Sequence, residues 1–423
     1  MFSRIFNFKS EYKKNIFTLM TGTGAAQLIP VAIAPILTRL YSPEDFGLIA
    51  LYLSIVSIIT VFATGRYELA IMLPKFKDEV RAVVRLSAAL ISVVSVLVLL
   101  FVSFFNHEFS DLLGNDQISA WLYILPASIF LTGFYQLINY LLIRDKKFNT
   151  LAMNKVVVSS TNAGSQLGVG YLFQNSFGLL LGNLIGQVAS LCIIFKTTNI
   201  IDYFKPSKYP IRLVAFKYRK FPQYDIPSVL MNVLANQMPL LILGKFFGLG
   251  VLGLYSFMYK ILMMPINLLS NTVLDVFKQK ASEDYNQTGN CERIFNKTFL
   301  QLLILGCVPF LILGMYAPEL FSWIFGIRWQ EAGNFAQIMT PMLFLKFIVN
   351  PLSYTFYIAQ KQNIDLIFQI TLFVLTACSL TIGVIFNNIK LTLICFSATS
   401  SLIYFIYLGL SYRYSKGGVT SAT

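Results

Sequence analysis

Charge is scarce in this 423-residue chain: Asp, Glu, Lys and Arg make up 12% of it, against 56% hydrophobic residues and a mean hydropathy of +0.67. A water-soluble domain of this size needs far more charge to clothe its surface, so the apolar excess has to face lipid. Histidine is nearly missing. The one present, His107, falls in a short loop between apolar runs, which removes histidine-based metal sites and Ser-His-Asp catalysis. No Gly-x-x-x-x-Gly-Lys-Ser/Thr loop occurs, so the chain has no motif for direct drive by ATP. Of the five cysteines, Cys192, Cys307, Cys378 and Cys395 lie in apolar runs and Cys291 in a basic loop. That placement fits small buried side chains and suggests neither a disulfide framework nor a metal centre. No polar segment is long enough for a catalytic domain. Neither enzymatic activity nor a bound cofactor is expected.

What the chain does have is repeated apolar runs of about 20 residues, the length that crosses a hydrocarbon core. Twelve spans are expected, near 16–38, 47–65, 85–105, 120–142, 156–174, 177–195, 226–247, 250–272, 298–317, 336–358, 364–386 and 391–411. The first is preceded by Lys13 and Lys14, as in a signal peptide. It continues past Pro30 and Pro35 to Arg39 without a small-residue cleavage site, so an uncleaved span is the reading. The net charge of +14 is not spread as a nucleic-acid footprint would be. Apart from Arg39, Arg328 and Lys390, and from Lys245, Lys260 and Lys346 inside spans, the cations occupy the two tails and alternate loops. This positive-inside pattern predicts cytoplasmic termini. The opposite loops are short and mildly acidic, with Glu108, Asp111 and Asp116.

The largest basic connection, 196–225, is Pro-punctuated and central. It divides the chain into a first six-helix lobe (1–200), a cytoplasmic linker (201–225) and a second six-helix lobe (226–423). An ungapped match of residues 38–48 on 244–254 agrees with that division. In each, a cation (Arg39, Lys245) closes a span, a short turn follows, and Gly-Leu opens the next span. Six helices per half give both halves one orientation, so the repeats are parallel, as in some secondary transporters.

Lys260 lies near the middle of its span, where a charge costs a few kcal/mol on insertion scales. Ser256, Lys260, Met264, Asn267 and Asn271 recur at helical spacing and form a partly polar stripe. Lys346 is likewise central, with Asn350 one turn on and Tyr354 and Tyr357 beyond. A lysine paired internally with a carbonyl or acid is the plain alternative; snorkelling does not reach from mid-span. Amide pairs such as Asn162 and Gln166, Asn183 and Gln187, or Asn232 and Asn236 fit hydrogen bonding between helices when taken singly. Their recurrence in both halves favours a hydrated lumen. In Gly65-Arg66-Tyr67-Glu68-Leu69-Ala70, residues two apart point to different helix faces, so Arg66 and Glu68 are expected to have separate partners or a ligand. Arg39 and Lys245 read as interface anchors.

The run from Asn15 to Pro74, with Leu37-Thr38-Arg39-Leu40-Tyr41-Ser42-Pro43-Glu44-Asp45-Phe46-Gly47 and Gly65-Arg66-Tyr67-Glu68-Leu69-Ala70, resembles the polysaccharide transporters that include O-antigen flippases of the Wzx type. Phe221-Pro222-Gln223-Tyr224-Asp225-Ile226-Pro227-Ser228 and Gly253-Leu254-Tyr255-Ser256 resemble the opening of that family's second half. The resemblance implies an all-α polytopic fold of the MOP (MATE-like) superfamily, two six-helix lobes around a central lumen, in the bacterial inner membrane. It implies an undecaprenyl-pyrophosphate-linked oligosaccharide as cargo, moved by alternating access for O-antigen, lipopolysaccharide or other surface polysaccharide, with a polymerase and a chain-length regulator as further partners.

On that reading Lys260, Lys346 and Arg66 are the cations facing the cargo, and Glu68, Ser256, Asn267, Asn350 and Asn236 line the lumen. The drive is either the membrane potential or H+ or Na+ antiport through Glu68, Asp275 or Asp365. Two other functions are weighed. A MATE-like drug or cation antiporter is expected to place acids, not lysines, in its lumen. A membrane polysaccharide polymerase or ligase needs a sizeable outer loop with catalytic Arg or His, which is lacking.

Overall fold

The structure, a computed structural model, describes residues 11–173 and 175–417, with side chains from Thr18 onward. It is helical throughout, without a strand among the described residues. Twelve long helices account for it: α1 (Glu11–Leu40), α2 (Pro43–Ala63), α3 (Lys77–Leu113), α4 (Leu125–Arg144), α5 (Phe148–Phe173) and α6 (Phe177–Thr197), then α7 (226–247), α8 (249–288), α9 (Glu292–Phe325), α10 (Gln330–Leu352), α11 (Gln362–Ile385) and α12 (Ile389–Ser415). Among the described residues, ten helical stretches are long and apolar enough to cross a membrane, with 221–288 counted as one. Dividing that stretch at Gly248 and adding α5, whose Asn154, Lys155, Asn162 and Gln166 lower its hydropathy, recovers the twelve expected spans.

Local chemistry explains the ends that matter. Gly248 has φ 84° and ψ 170°, a conformation costly for any side chain, and there α7 breaks from α8. Ahead of α2, the Ser42 hydroxyl accepts from the Asp45 N–H at 3.2 Å and the Asp45 carboxylate accepts from the Ser42 N–H at 2.9 Å. Pro43 takes the first helical position, so Ser-Pro-Glu-Asp is a complete capping box. Tyr41 beside it is buried, and its hydroxyl donates to the Gln166 carbonyl at 2.7 Å. The slot exists because α5 and α6 present Gly170 and Gly178; a Cβ on them would lie 2.5 and 2.1 Å from that hydroxyl.

The chain divides into two compact units, 1–253 and 254–423. In the first, α5 packs on α1 and α6, and α4 on α2 and α3. The stretch expected as a linker forms the short helices Asn199–Phe204 and Ile211–Lys217 and a π-turn, Phe221–Asp225. Ile200, Tyr203, Val214 and Tyr218 enter one apolar cluster with Val80, Val83, Leu137 and Leu141 of α3 and α4. Polar ties support them: the Tyr203 hydroxyl donates to Asp145 at 2.6 Å, the Tyr218 hydroxyl to Glu79 at 2.9 Å, and Lys217 pairs with Glu79.

Two turns of this unit meet closely. The first turn of α2 approaches the start of α8 so tightly that a Cβ on Gly47 would lie 1.9 Å from the Leu249 carbonyl oxygen. Reciprocally, a Cβ on Gly253 would lie 1.7 Å from the Pro43 carbonyl oxygen. In the internal repeat Gly47 corresponds to Gly253 and Pro43 to Leu249, so the contact is the same patch used twice, as across a two-fold axis.

In the second unit α10 packs on α9 and α12, and α11 on α12. α8 joins them through Phe257, whose ring meets Phe325 at 4.9 Å and Trp329 at 4.4 Å, and through the Ser270 hydroxyl, which donates to the Phe347 carbonyl at 3.3 Å. α8 runs on to Thr288, well past the expected end near 272. α10 ends at Leu352, just after Pro351 removes a backbone donor, and after a turn the short helix Thr355–Ile358 completes the apolar stretch to the expected end at 358. Tyr354 and Tyr357 therefore lie beyond the helix that carries Lys346, stacked on each other at 5.5 Å.

Candidate functional site

The polar stripe of α8 is its open face. Lys260, Asn267 and Asn271 are exposed and Ser256 and Met264 half-exposed, whereas Phe257, Met258, Leu262, Met263, Ile266 and Ser270 are buried in the second unit. The Lys260 ammonium has no ion pair or hydrogen bond to any described residue. A cation at mid-span with no protein partner calls for water or an anion.

Lys346 of α10 is half-buried in the same unit. Its ammonium donates to the Tyr259 hydroxyl at 2.9 Å, one residue from Lys260 along α8. It stands 5.6 Å from the Tyr259 ring centroid, the separation given by a nearly straight line from ring through hydroxyl to nitrogen. The ammonium thus sits beyond the ring edge and gains nothing from the ring face. Tyr259 in turn stacks on Tyr255 at 5.9 Å, and Tyr404 of α12 is a further polar neighbour of Lys346. No carboxylate pairs with Lys346 among the described residues. Asn350, one turn along α10, is half-buried.

Arg66 belongs to the first unit and has a different environment. Its Nε donates to Asp225 at 2.5 Å and its Nη1 to Glu68 Oε1 at 3.2 Å. The expectation that Arg66 and Glu68 would not meet is corrected here. It assumed α-helical geometry, but Arg66 adopts φ 60° and ψ 12° and a 3-10 turn, Tyr67–Met72, follows. Across a left-handed residue, side chains two apart converge. Glu68 is fully buried, and burial pushes its carboxyl above the ordinary range, opposed by hydrogen bonding from Thr64 and by the Arg66 charge.

The remaining candidates scatter. Asn236 is exposed and donates to the Asn232 carbonyl at 2.8 Å on its own helix. Asp275 is exposed on α8 without an ion pair among the described residues. Asp365 is half-buried at the start of α11 and accepts from the Tyr407 hydroxyl and, at 3.4 Å, from Tyr357. Arg39 and Lys245 are exposed at their span ends. Sequence reasoning passed over Tyr259, Tyr404 and Asp225. The adjacency of Tyr259 to Lys260 and the place of Asp225 in Phe-Pro-Gln-Tyr-Asp were the only signals for them.

Comparison with known proteins gives this arrangement a family. The pattern of the family described as polysaccharide biosynthesis protein matches residues 36–334. The teichuronic acid biosynthesis protein TuaB of Bacillus subtilis is 23% identical over 262 residues, 60% of this chain and 52% of TuaB; the match thus spans about half the length of that relative. An inward-facing multidrug resistance MATE family transporter of the MOP superfamily superposes with a TM-score of 0.72 at 14% identity, covering 96% of both chains. The lipid II flippase MurJ, in an inward closed conformation, superposes with a TM-score of 0.73 at 14% identity, over 94% of this chain and 87% of MurJ. With twelve helices, a match over most of its length and the shared fold, the chain is a multi-pass membrane protein that belongs to the polysaccharide biosynthesis protein family and has the fold of MOP-superfamily transporters.

Proposed function

We propose that this protein is a flippase, without enzymatic activity, that moves an undecaprenyl-pyrophosphate-linked oligosaccharide repeat unit from the cytoplasmic to the outer leaflet of a bacterial inner membrane. The repeat unit serves O-antigen or another surface polysaccharide, and both termini are cytoplasmic. One observation carries the reading: the second unit holds two mid-span lysines, and no carboxylate among the described residues pairs with either. Such a site suits an anionic headgroup and repels a cationic drug, which weighs against a MATE-like antiporter.

The headgroup pyrophosphate exchanges part of its hydration for Lys260 and for Lys346, the latter held by the Tyr259 hydroxyl, while the polyprenyl tail stays in lipid. The paired turns at Gly47 and Gly253 close the outer end and part when the cargo leaves. An inside-negative potential favours outward movement of negative charge by about 2.3 kcal/mol per charge per 100 mV. For roughly two charges that is about 5 kcal/mol, enough to bias transport without ATP. Antiport of H+ or Na+ through Glu68, Asp275 or Asp365 is the alternative drive.

The test replaces both lysines, Lys260→Gln with Lys346→Gln. Surface polysaccharide should be lost and lipid-linked units should accumulate on the cytoplasmic side, with the protein inserted at its normal level. The Lys→Arg pair should retain part of the export. Normal export by the glutamine pair would remove the anion site.

A further inference from the structure

A groove of about 300 Å³ runs between α8 and α9 in the second unit, away from the Lys260 face. Lys280, Lys297 and Gln301 line it together with Val273, Val276 and Ile294. Both lysines are exposed, and neither makes an ion pair with a described residue. Two unneutralised cations over one apolar groove are an anion site with an oily floor.

The order of chemistry along α9 narrows the ligand. Lys297 lies near the start of the helix, in the basic stretch that also holds Lys278, Lys280 and Arg293. Gln301 follows one turn on, about 6 Å further along the axis. Its side-chain amide makes no hydrogen bond to a described residue, so it has donors to offer. Beyond it Ile304 and Val308, 64% and 62% exposed, continue the same strip of α9. Cation, then amide donor, then exposed apolar surface is the sequence phosphate, ester carbonyl, acyl chain. A polyprenyl phosphate has no acyl ester carbonyl for the amide, and a free phosphate has no use for the apolar strip.

We propose that the α8–α9 groove binds the headgroup of an anionic glycerophospholipid, with its phosphate on Lys280 and Lys297 and an ester carbonyl on Gln301. Basic pockets between helices at the cytoplasmic surface are suited to such headgroups. The site is separate from the cargo lysines and does not depend on what the protein exports.

Native mass spectrometry of the purified full-length protein tests this, with phosphatidylglycerol and phosphatidylethanolamine titrated in competition. The wild type should retain one phosphatidylglycerol in preference to phosphatidylethanolamine. The pair Lys280→Gln with Lys297→Gln should bind it about 30-fold more weakly, the loss expected for two interfacial cations. Gln301→Leu should weaken phosphatidylglycerol and phosphatidylethanolamine alike, since both carry esters. Lys205→Gln with Lys208→Gln, in the first unit, should change nothing. Undiminished phosphatidylglycerol binding by the Lys280/Lys297 pair overturns the proposal. So does displacement of the lipid by millimolar inorganic phosphate, which would show that the groove reads phosphate alone.

Discussion

Replacing Gly253 by alanine tests how closely the two repeat-related turns must meet. A Cβ there would lie 1.7 Å from the Pro43 carbonyl oxygen and 2.8 Å from the Gly47 nitrogen, and contacts below 3.0 Å are essentially never seen. The turns must therefore move apart by about 1.3 Å, and the clashing atoms are backbone, so no side chain can swing away. Overpacking of this kind costs roughly 1–3 kcal/mol. Applied to a two-state equilibrium, that depopulates the form in which the two turns meet by about 5- to 150-fold.

The readout is cross-linking of Glu44→Cys with Gly250→Cys after the five native cysteines are replaced. A Cβ on Gly250 would sit 3.9 Å from Glu44 Cγ, so the closed form should bridge readily. Adding Gly253→Ala should cut the bridged fraction at least fivefold and lower polysaccharide export in step. Gly409→Ala, where a Cβ meets nothing within 4 Å, is the control for adding a methyl group to a helix. Unchanged bridging and unchanged export in Gly253→Ala would refute the idea that this contact has to form.

Other perturbations probe the charged groups. Burial raises the Glu68 carboxyl, so the folded protein holds that proton more tightly than the unfolded chain, and stability should fall as pH rises from the ordinary glutamate range through the elevated value. Glu68→Gln should flatten this slope in Tm measured against pH; an unaltered slope would exclude Glu68 as its source. Tyr259→Phe removes the hydroxyl that accepts from Lys346 at 2.9 Å. Hydrogen bonds to charged groups are worth about 1.5–3 kcal/mol, so export should drop roughly tenfold or more while membrane levels hold. Wild-type export would show that Lys346 needs no holding. Tyr41→Phe deletes the buried bond to the Gln166 carbonyl and should lower Tm by about 1–2 °C, for about 1 kcal/mol lost.

Hydropathy and charge placement made the helices and their number legible, because a lipid solvent leaves few choices for a 20-residue apolar run. Where helices end was less legible. The extension of α8 to Thr288 carries Lys278, Lys280, Glu283 and Asp284, which read as loop because a run of charges carries no apolar signal for a spanning helix. Ile200, Tyr203, Val214 and Tyr218 stand among lysines and prolines, and only the fold reveals that they share a core with α3 and α4. The α8 stripe was readable because one helix carries it, with a period of 3.6. Tyr259 and Tyr404 were not, since a tyrosine in an apolar helix looks like packing until a lysine from another helix reaches it.

The pairing of Arg66 bears on where an anion can bind. Two carboxylates engage one guanidinium, so with Glu68 and Asp225 ionised the cluster is negative by one charge, and with Glu68 protonated it is neutral. In neither state does it attract a pyrophosphate, which would reach Arg66 only by displacing Asp225 or Glu68. Lys260 and Lys346 have no such competitor among the described residues, so on the proposed function it is the second unit that offers the cargo its cations. The same count gives the first unit a different part: protonation of Glu68 changes the charge holding the end of α2 to Asp225, the residue before α7. If proton movement drives the cycle, Glu68→Gln should export at a rate independent of the pH gradient. If the membrane potential alone drives it, that variant should respond to uncouplers as the wild type does.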